Sequence, residues 1–311
     1  MNNSVSLIGV PSDIGASDRG ASMGPEALRV AGLAKMLQNQ GCTVNDIGNI
    51  KGPINPELPP VKGYRHLEEN VIWTQNIHDA IYAEMDQGNL PIMMGGDHAM
   101  SIGSIAAVAH YCADNNKPIC MLWIDAHADY NTNETSPSGN IHGMPVAVAT
   151  GLGHPDLLSV GHAVPMIAPE NVYQIAIRSV DKNEKLLVIK SGITVYDMRR
   201  IDEIGIRQTM QEILHDVSEK GAHLHVSFDV DSLDPPIAPG VATTIPGGLT
   251  YREAQLCMEM IHDSGLMGSL DIAEINPALD TKNGTAKIAV DLAASLFGRQ
   301  IFPTHSLYQG E

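Results

Sequence analysis

The stretch Leu122-Trp123-Ile124-Asp125-Ala126-His127-Ala128-Asp129 sets three metal-binding side chains at alternate positions directly after an apolar run. In extended backbone, side chains two apart share a face. Asp125, His127 and Asp129 are therefore expected to leave one strand end aimed at a common point. The arrangement returns in His225-Val226-Ser227-Phe228-Asp229-Val230-Asp231, where apolar residues again lead into carboxylates two apart. A lone Asp-x-Asp is as easily a helix cap or a solvated loop. Two strand ends carrying same-face ligands instead indicate a centre for two metal ions.

Two further segments have the same build. Pro91-Ile92-Met93-Met94-Gly95-Gly96-Asp97-His98 is a short apolar run halted by a Gly-Gly turn, with His98 just beyond it. The glycines permit a sharp turn and close backbone approach. Gly268 to Ile272 reads as another strand, which ends in the lone carboxylate Glu274 before Asn276-Pro277.

Short apolar strands alternate with helical stretches along the chain. Strands are expected at 6–10, 43–47, 91–94, 119–124, 172–177, 193–196, 223–228 and 268–272. Helices are expected at 25–40, 68–86, 100–112, 206–220, 251–262 and 285–297. Pro25 suits a first helical turn, Gly41 and Gly221 suit C-terminal stops, and Thr250 with Glu253 reads as a capping box. Alternation of this kind, with strands apolar on both faces, predicts a parallel sheet covered by helices on both sides. Ligands of such sheets bind beyond the carboxyl ends of the strands, where all four motifs fall.

With 311 residues, no linker-like run and no internal repeat, residues 1–311 are read as a single domain. The net charge of −17 and the lack of Lys/Arg clusters argue against nucleic acid or an anionic membrane as partner. The four cysteines have no CxxC or zinc-finger spacing and read as thiols of a reducing compartment. The opening Met1-Asn2-Asn3-Ser4 resembles neither a signal nor a transit peptide, no apolar run reaches membrane-spanning length, and the expected location is the cytoplasm.

Imidazole and several carboxylates without thiolate suit Mn²⁺, Fe²⁺, Co²⁺ or Zn²⁺, and the excess of oxygen donors favours manganese. Two such ions sharing a water draw its pKa towards neutrality and make a bridging hydroxide, a nucleophile for hydrolysis.

Taken together, Gly95–His98, Asp125–Asp129, Ser227–Pro235 and Glu274–Pro277 closely resemble the arginase/agmatinase family of ureohydrolases, in the family's order and at about its spacing. The similarity spans nearly the whole chain, including the opening Leu7–Arg29. It implies a three-layer α/β domain with a central, mostly parallel eight-stranded sheet flanked by helices, two Mn²⁺ per subunit, and a trimeric or hexameric homo-oligomer. One metal would be held by His98, Asp125, Asp129 and Asp229, the other by His127, Asp125, Asp229 and Asp231. Glu274 resembles the carboxylate that pairs with the guanidinium, Thr243 a pocket-lining threonine, and His142 the proton-shuttling histidine. Read alone, His142 before Gly143 and Pro145 is an ordinary loop residue.

The segment from Asp129 to Pro145 resembles an arginase loop, in which Asn131 and Ser138 would hydrogen-bond the substrate's α-carboxylate. Asp181 and, more weakly, Glu184 resemble the acids that receive the α-amino group. The implied reaction is hydrolysis of L-arginine to L-ornithine and urea. Ala99, Ala128, Ser179 and Thr244 depart from common family residues, and Ser179 and Thr244 keep agmatine, N-hydroxyarginine or a guanidino acid open as substrate. A dinuclear phosphoesterase or deacetylase fits less well, because Glu274 would repel an anion. A non-catalytic ligand-binding paralogue is the remaining reading.

Overall fold

β4 (Ile119–Ile124) shows how the sequence builds the molecule. Its alternate residues Cys120, Leu122 and Ile124 enter one apolar core, while Met121 and Trp123 enter a second on the opposite face. A strand buried on both sides must lie inside a helix-covered sheet. Each large apolar side chain so buried is worth about 1.5–3 kcal/mol.

The computed structural model describes residues 4–302, so residues 1–3 and 303–311 of the expected 1–311 domain lie outside the described residues. The other strands are β1 (Ser4–Gly9), β2 (Thr43–Asn49), β3 (Leu90–Met94), β5 (Val172–Ile177), β6 (Thr194–Asp197), β7 (His223–Asp229) and β8 (Met267–Ala273). They form one eight-stranded sheet in the order β2-β1-β3-β8-β7-β4-β5-β6. Every pairing is parallel, a stricter arrangement than the mostly parallel sheet expected. Helices Gly24–Ala31, Leu33–Asn39, Ile206–Glu219, Tyr251–Ser264 and Gly284–Leu296 contribute to one core. Leu67–Asp86, Ser101–Asp114 and Pro145–Ala149 cover the other face.

This strand order positions the site. The four motif-bearing strands β3, β8, β7 and β4 are neighbours at the centre of the sheet. Their register puts Met94, Ile272, Phe228 and Ile124 in one row. The chemistry-bearing residues leave the sheet within a few positions beyond that row. Gly95 (φ 57°) and Gly96 (φ 108°) turn the chain there, and a Cβ at Gly96 would lie 2.7 Å from the Val10 carbonyl oxygen.

Some expectations need correction. The helix expected over 25–40 is two helices, because Gly32 adopts φ 90° and ends the first. Helix Lys182–Ser191 has no counterpart among the helices expected: Leu186-Leu187-Val188-Ile189 is an apolar block, not a helical stripe, and Leu186 and Ile189 face outward. The extended same-face geometry also fails at two of the candidate positions. β4 ends at Ile124 and Asp129 sits at φ 47°, while Asp231 lies in a 3-10 turn (Val230–Ser232) after β7.

His223 and His225 are buried sheet residues, both hydrogen-bonded to Ser269 Oγ at 2.9 Å. Burial, with a smaller contribution from His225, pushes the His223 pKa down to about 3. The unfolded value is about 6.5. Stability from keeping this imidazole neutral is therefore complete above about pH 6.5. It falls by up to about 1.4 kcal/mol per pH unit below that, until the folded pKa is reached. Its NMR Cε1–H resonance is expected to stay fixed from pH 7.5 to pH 5, whereas a midpoint near 6.5 would show that the ring is not held neutral.

Candidate metal centre

The loops after β3, β4 and β7 bring two imidazoles and four aspartates together. His98 Nδ1 lies 2.9 Å from Asp229 Oδ2, 3.1 Å from Asp125 Oδ2 and 3.4 Å from Asp129 Oδ2. His127 Nδ1 lies 3.0 Å from Asp231 Oδ2 and 3.5 Å from Asp125 Oδ1. Two clusters of ligand atoms result, His98/Asp125/Asp229 and Asp125/His127/Asp231, with Asp125 common to both.

Local backbone contacts set these carboxylates. Asp125 Oδ1 accepts from the His127 amide at 2.6 Å, Asp229 Oδ1 from the Asp231 amide at 2.7 Å, and Asp231 Oδ1 from the Ala126 amide at 3.1 Å. His98 is fixed from its far side: Nε2 meets Ser227 Oγ at 2.9 Å, and the ring stacks on Trp123 with centroids 4.0 Å apart. Such partners orient a ligand and choose its tautomer.

The donor set fits a pair of divalent cations. His98 Nδ1 and Asp125 Oδ2 are fully buried without a well-aligned hydrogen bond, although charged partners surround them. Burial, then Asp231 and Asp125, push Asp229 well above the usual carboxylate range. Burial and Asp125 likewise raise Asp231, and push Asp129 to about 6. Burial works against charging His127, but Asp231 and Asp125 outweigh it and carry its pKa to about 12. The cluster is short of positive charge. Two divalent cations would balance four aspartates and leave both imidazoles neutral as ligands.

Beside this cluster, Glu274 adopts φ 62°, a conformation costing a non-glycine residue of order 1–3 kcal/mol. Its Oε1 accepts from the His98 amide at 2.8 Å and faces His142 Nδ1 at 2.9 Å, while buried Oε2 has no partner. Burial opposes ionisation of both groups. The mutual hydrogen bond prevails, holding Glu274 below its ordinary pKa and raising His142 to about 9.

A cleft of about 240 Å³ opens over these groups. That is below the roughly 300–1,000 Å³ of pockets for drug-sized ligands, and fits a small molecule. Of the residues singled out in the sequence, His127, Asp129, Asp229, Asp231, His142, Glu274, Asn131, Ser138, Asp181, Glu184 and Thr243 line it; His98 and Asp125 lie buried beneath. Asn131 Nδ2 donates to Asp181 Oδ2 at 3.0 Å, and Thr243 Oγ1 donates to Asp231 Oδ2 at 2.9 Å. Both Glu184 oxygens are occupied, accepting from the Tyr130 and Asp181 amides at 2.8 and 2.9 Å. Burial raises the Glu184 pKa to about 7.

Other contributors were not legible. Asp97 accepts from the Gly15 amide at 2.7 Å, and the Gly15 carbonyl accepts from the His142 amide at 3.2 Å, so the first loop helps to place His142. Arg178 donates to the Asp231, Ser232, Leu233 and Ile245 carbonyls and clamps the loop carrying Thr243. Neither contact has a local sequence signal, since each joins segments far apart in the chain.

The arginase family model matches residues 3–298. The chain belongs to the arginase family. The arginase of Agrobacterium fabrum is 45% identical over 95% of this chain and 91% of its own length. That of Bacillus subtilis is 42% identical over 97% of this chain and 100% of its own. Among solved arginase structures, that of Bacillus caldovelox superposes with a TM-score of 0.92 at 40% identity, covering 97% of this chain and 100% of its own. The Entamoeba histolytica arginase in complex with L-ornithine gives a TM-score of 0.89 at 32% identity, with coverages of 96% and 99%.

Proposed function

We propose that the chain hydrolyses the guanidino group of L-arginine to L-ornithine and urea at a pair of Mn²⁺ ions. The observation that carries this reading is the pair of ligand clusters sharing Asp125 beside the unpartnered Oε2 of Glu274. One metal would be held by His98, Asp125, Asp129 and Asp229, the second by His127, Asp125, Asp229 and Asp231. The oxygen-rich set with imidazole and no thiolate supports manganese. When bound, such a pair supplies Lewis acidity that draws the pKa of a shared water towards neutrality.

The chain's own residues do the rest. Glu274 pairs with the guanidinium, a planar cation suited to a carboxylate. Thr243 holds Asp231 in place. His142, whose Nδ1 is engaged by Glu274, uses Nε2 to deliver a proton to the leaving amine nitrogen. Asn131 and Ser138 bind the α-carboxylate, and Asp181 receives the α-amino group, with Glu184 shaping the Asp181 turn through its backbone bonds. An arginase of this fold that holds L-ornithine supports an α-amino acid as ligand. We further propose a homo-oligomer, trimer or hexamer, acting in the cytoplasm; the four free cysteines support a reducing compartment. Among the described residues no helix is long and apolar enough to cross a membrane.

The alternative substrate is agmatine or another guanidino compound, favoured by Ser179 lining the cleft and by an Asn131 amide already committed to Asp181. Urea release from L-arginine, agmatine and a series of guanidino acids tests the reading. L-Arginine is expected to be turned over well above the others, and preference for a carboxylate-free guanidine would overturn the substrate assignment. Ser138→Ala should raise KM for L-arginine by about tenfold, a loss near 1.4 kcal/mol that matches one hydrogen bond to a charged group. Agmatine kinetics should hardly change; unchanged arginine kinetics would remove Ser138 from carboxylate binding. His142→Ala should lower kcat by about 10²–10⁴-fold near neutral pH, the usual worth of general acid–base catalysis. Metal content should be retained, and full activity would exclude the residue from proton transfer.

A further inference from the structure

We infer that His78, His110 and His162 form a separate site for a late first-row divalent cation such as Zn²⁺. His78 lies on helix Leu67–Asp86, His110 on helix Ser101–Asp114, and His162 in the connection between Pro155–Leu158 and β5. One ring nitrogen from each lies within 4.8 Å of the other two. His110 sits roughly 13 Å along its helix from Ser101, on the side away from His98.

The hydrogen-bond pattern points to a cation. His78 Nδ1 meets Asp79 Oδ1 at 2.9 Å, and His110 Nε2 stands 3.4 Å from Asp114 Oδ2. Asp114 is itself oriented by the Tyr82 hydroxyl at 2.5 Å. A carboxylate at the outer nitrogen keeps the proton there and turns a lone pair inward, the arrangement of carboxylate–histidine–metal triads. The inner nitrogens, His78 Nε2 and His110 Nδ1, then face one another at 3.2 Å. With both outer nitrogens protonated the two inner lone pairs would repel at that distance, and a cation between them removes the repulsion; a proton on His110 Nδ1 would instead make a plain hydrogen bond. Zn–N bonds of about 2.0–2.1 Å in tetrahedral geometry place neighbouring ligand nitrogens about 3.4 Å apart, close to the spacing here.

His162 completes the set. Its ring stacks on His110 with centroids 3.5 Å apart and lies 5.8 Å from the His78 ring. His78 is buried, His110 half-buried and His162 exposed, so an ion can enter from solvent and keep water as a fourth ligand. Binding asks the exposed His162 ring to turn out of its stack. Imidazole donors without an oxygen-rich shell suit Zn²⁺, Ni²⁺ or Cu²⁺ better than Mn²⁺, so this site and the aspartate-rich centre select different metals. An ion here would pin the 159–168 connection to two helices.

The test is Zn²⁺ uptake by the full, Mn²⁺-loaded chain, with zinc and manganese both measured by atomic emission after desalting. One further equivalent of zinc, with manganese content unchanged, is expected. His162→Ala, a substitution at an exposed side chain, and His110→Asn should each weaken that uptake at least tenfold without altering urea release. No additional zinc would overturn the inference. So would zinc that replaces manganese, or uptake indifferent to His162→Ala, since the three rings would then be an aromatic stack only.

Discussion

Asp125→Asn is expected to lower metal-dependent urea release by at least about a thousandfold, a loss near 4 kcal/mol of transition-state stabilisation. Asp125 is the carboxylate common to both clusters, and its two oxygens face different imidazoles, Oδ2 towards His98 and Oδ1 towards His127. Asparagine keeps the shape but halves the coordinating capacity and removes a charge, so the His98-side position loses an oxygen donor and both positions lose anionic charge. The hydrogen bond from the His127 amide survives on the remaining oxygen, and the fold should survive with it. The check is activity, bound manganese and circular dichroism on the same preparation. Near-normal turnover with fewer than two bound ions would show that the shared carboxylate is not needed.

Glu274→Gln should cost about a hundredfold or more in kcat/KM while the chain still folds, with thermal stability lowered only modestly because the acceptor for the His98 amide and His142 is kept. The carboxylate is desolvated, sits at positive φ and leaves Oε2 without a partner, while the bond to His142 holds its charge in place. Glutamine retains an acceptor for the His98 amide and His142 but replaces the orphan oxygen with an amide, ending both the buried charge and its match to a guanidinium. Strain and an unsatisfied charge at one residue mark function more readily than packing. A melting curve and steady-state kinetics decide the matter. Lost stability with intact kcat/KM would make Glu274 a structural residue.

Much of this could be read directly, because the sheet writes itself into the sequence. The two-sided burial of β4 forces alternation-blind apolar runs, and each run that ends in His or Asp marks a carboxyl end. Asp125, His127, Asp229 and Asp231 were visible for that reason. Same-face spacing accounts for only part of the cluster. Asp129 reaches the cluster through a left-handed backbone and Asp231 through a 3-10 turn, neither of which spacing alone reveals. The residues that orient the ligands were invisible. Ser227 looks like a sheet residue until it meets His98, and Trp123 like core until it stacks on that ring. Arg178, Asp97 and the pairing of His78 with His110 all depend on contacts between distant segments. The split at Gly32 turned on one left-handed dihedral that an otherwise helical pattern does not show.

The most direct test of the central claim is urea release from L-arginine, followed as chelator-treated protein is titrated with Mn²⁺ and the tightly bound metal is counted. Activity should be absent without metal, rise with loading and level off at two equivalents per chain. Full activity at one equivalent, or in the presence of excess chelator, would contradict a dinuclear centre shared by Asp125.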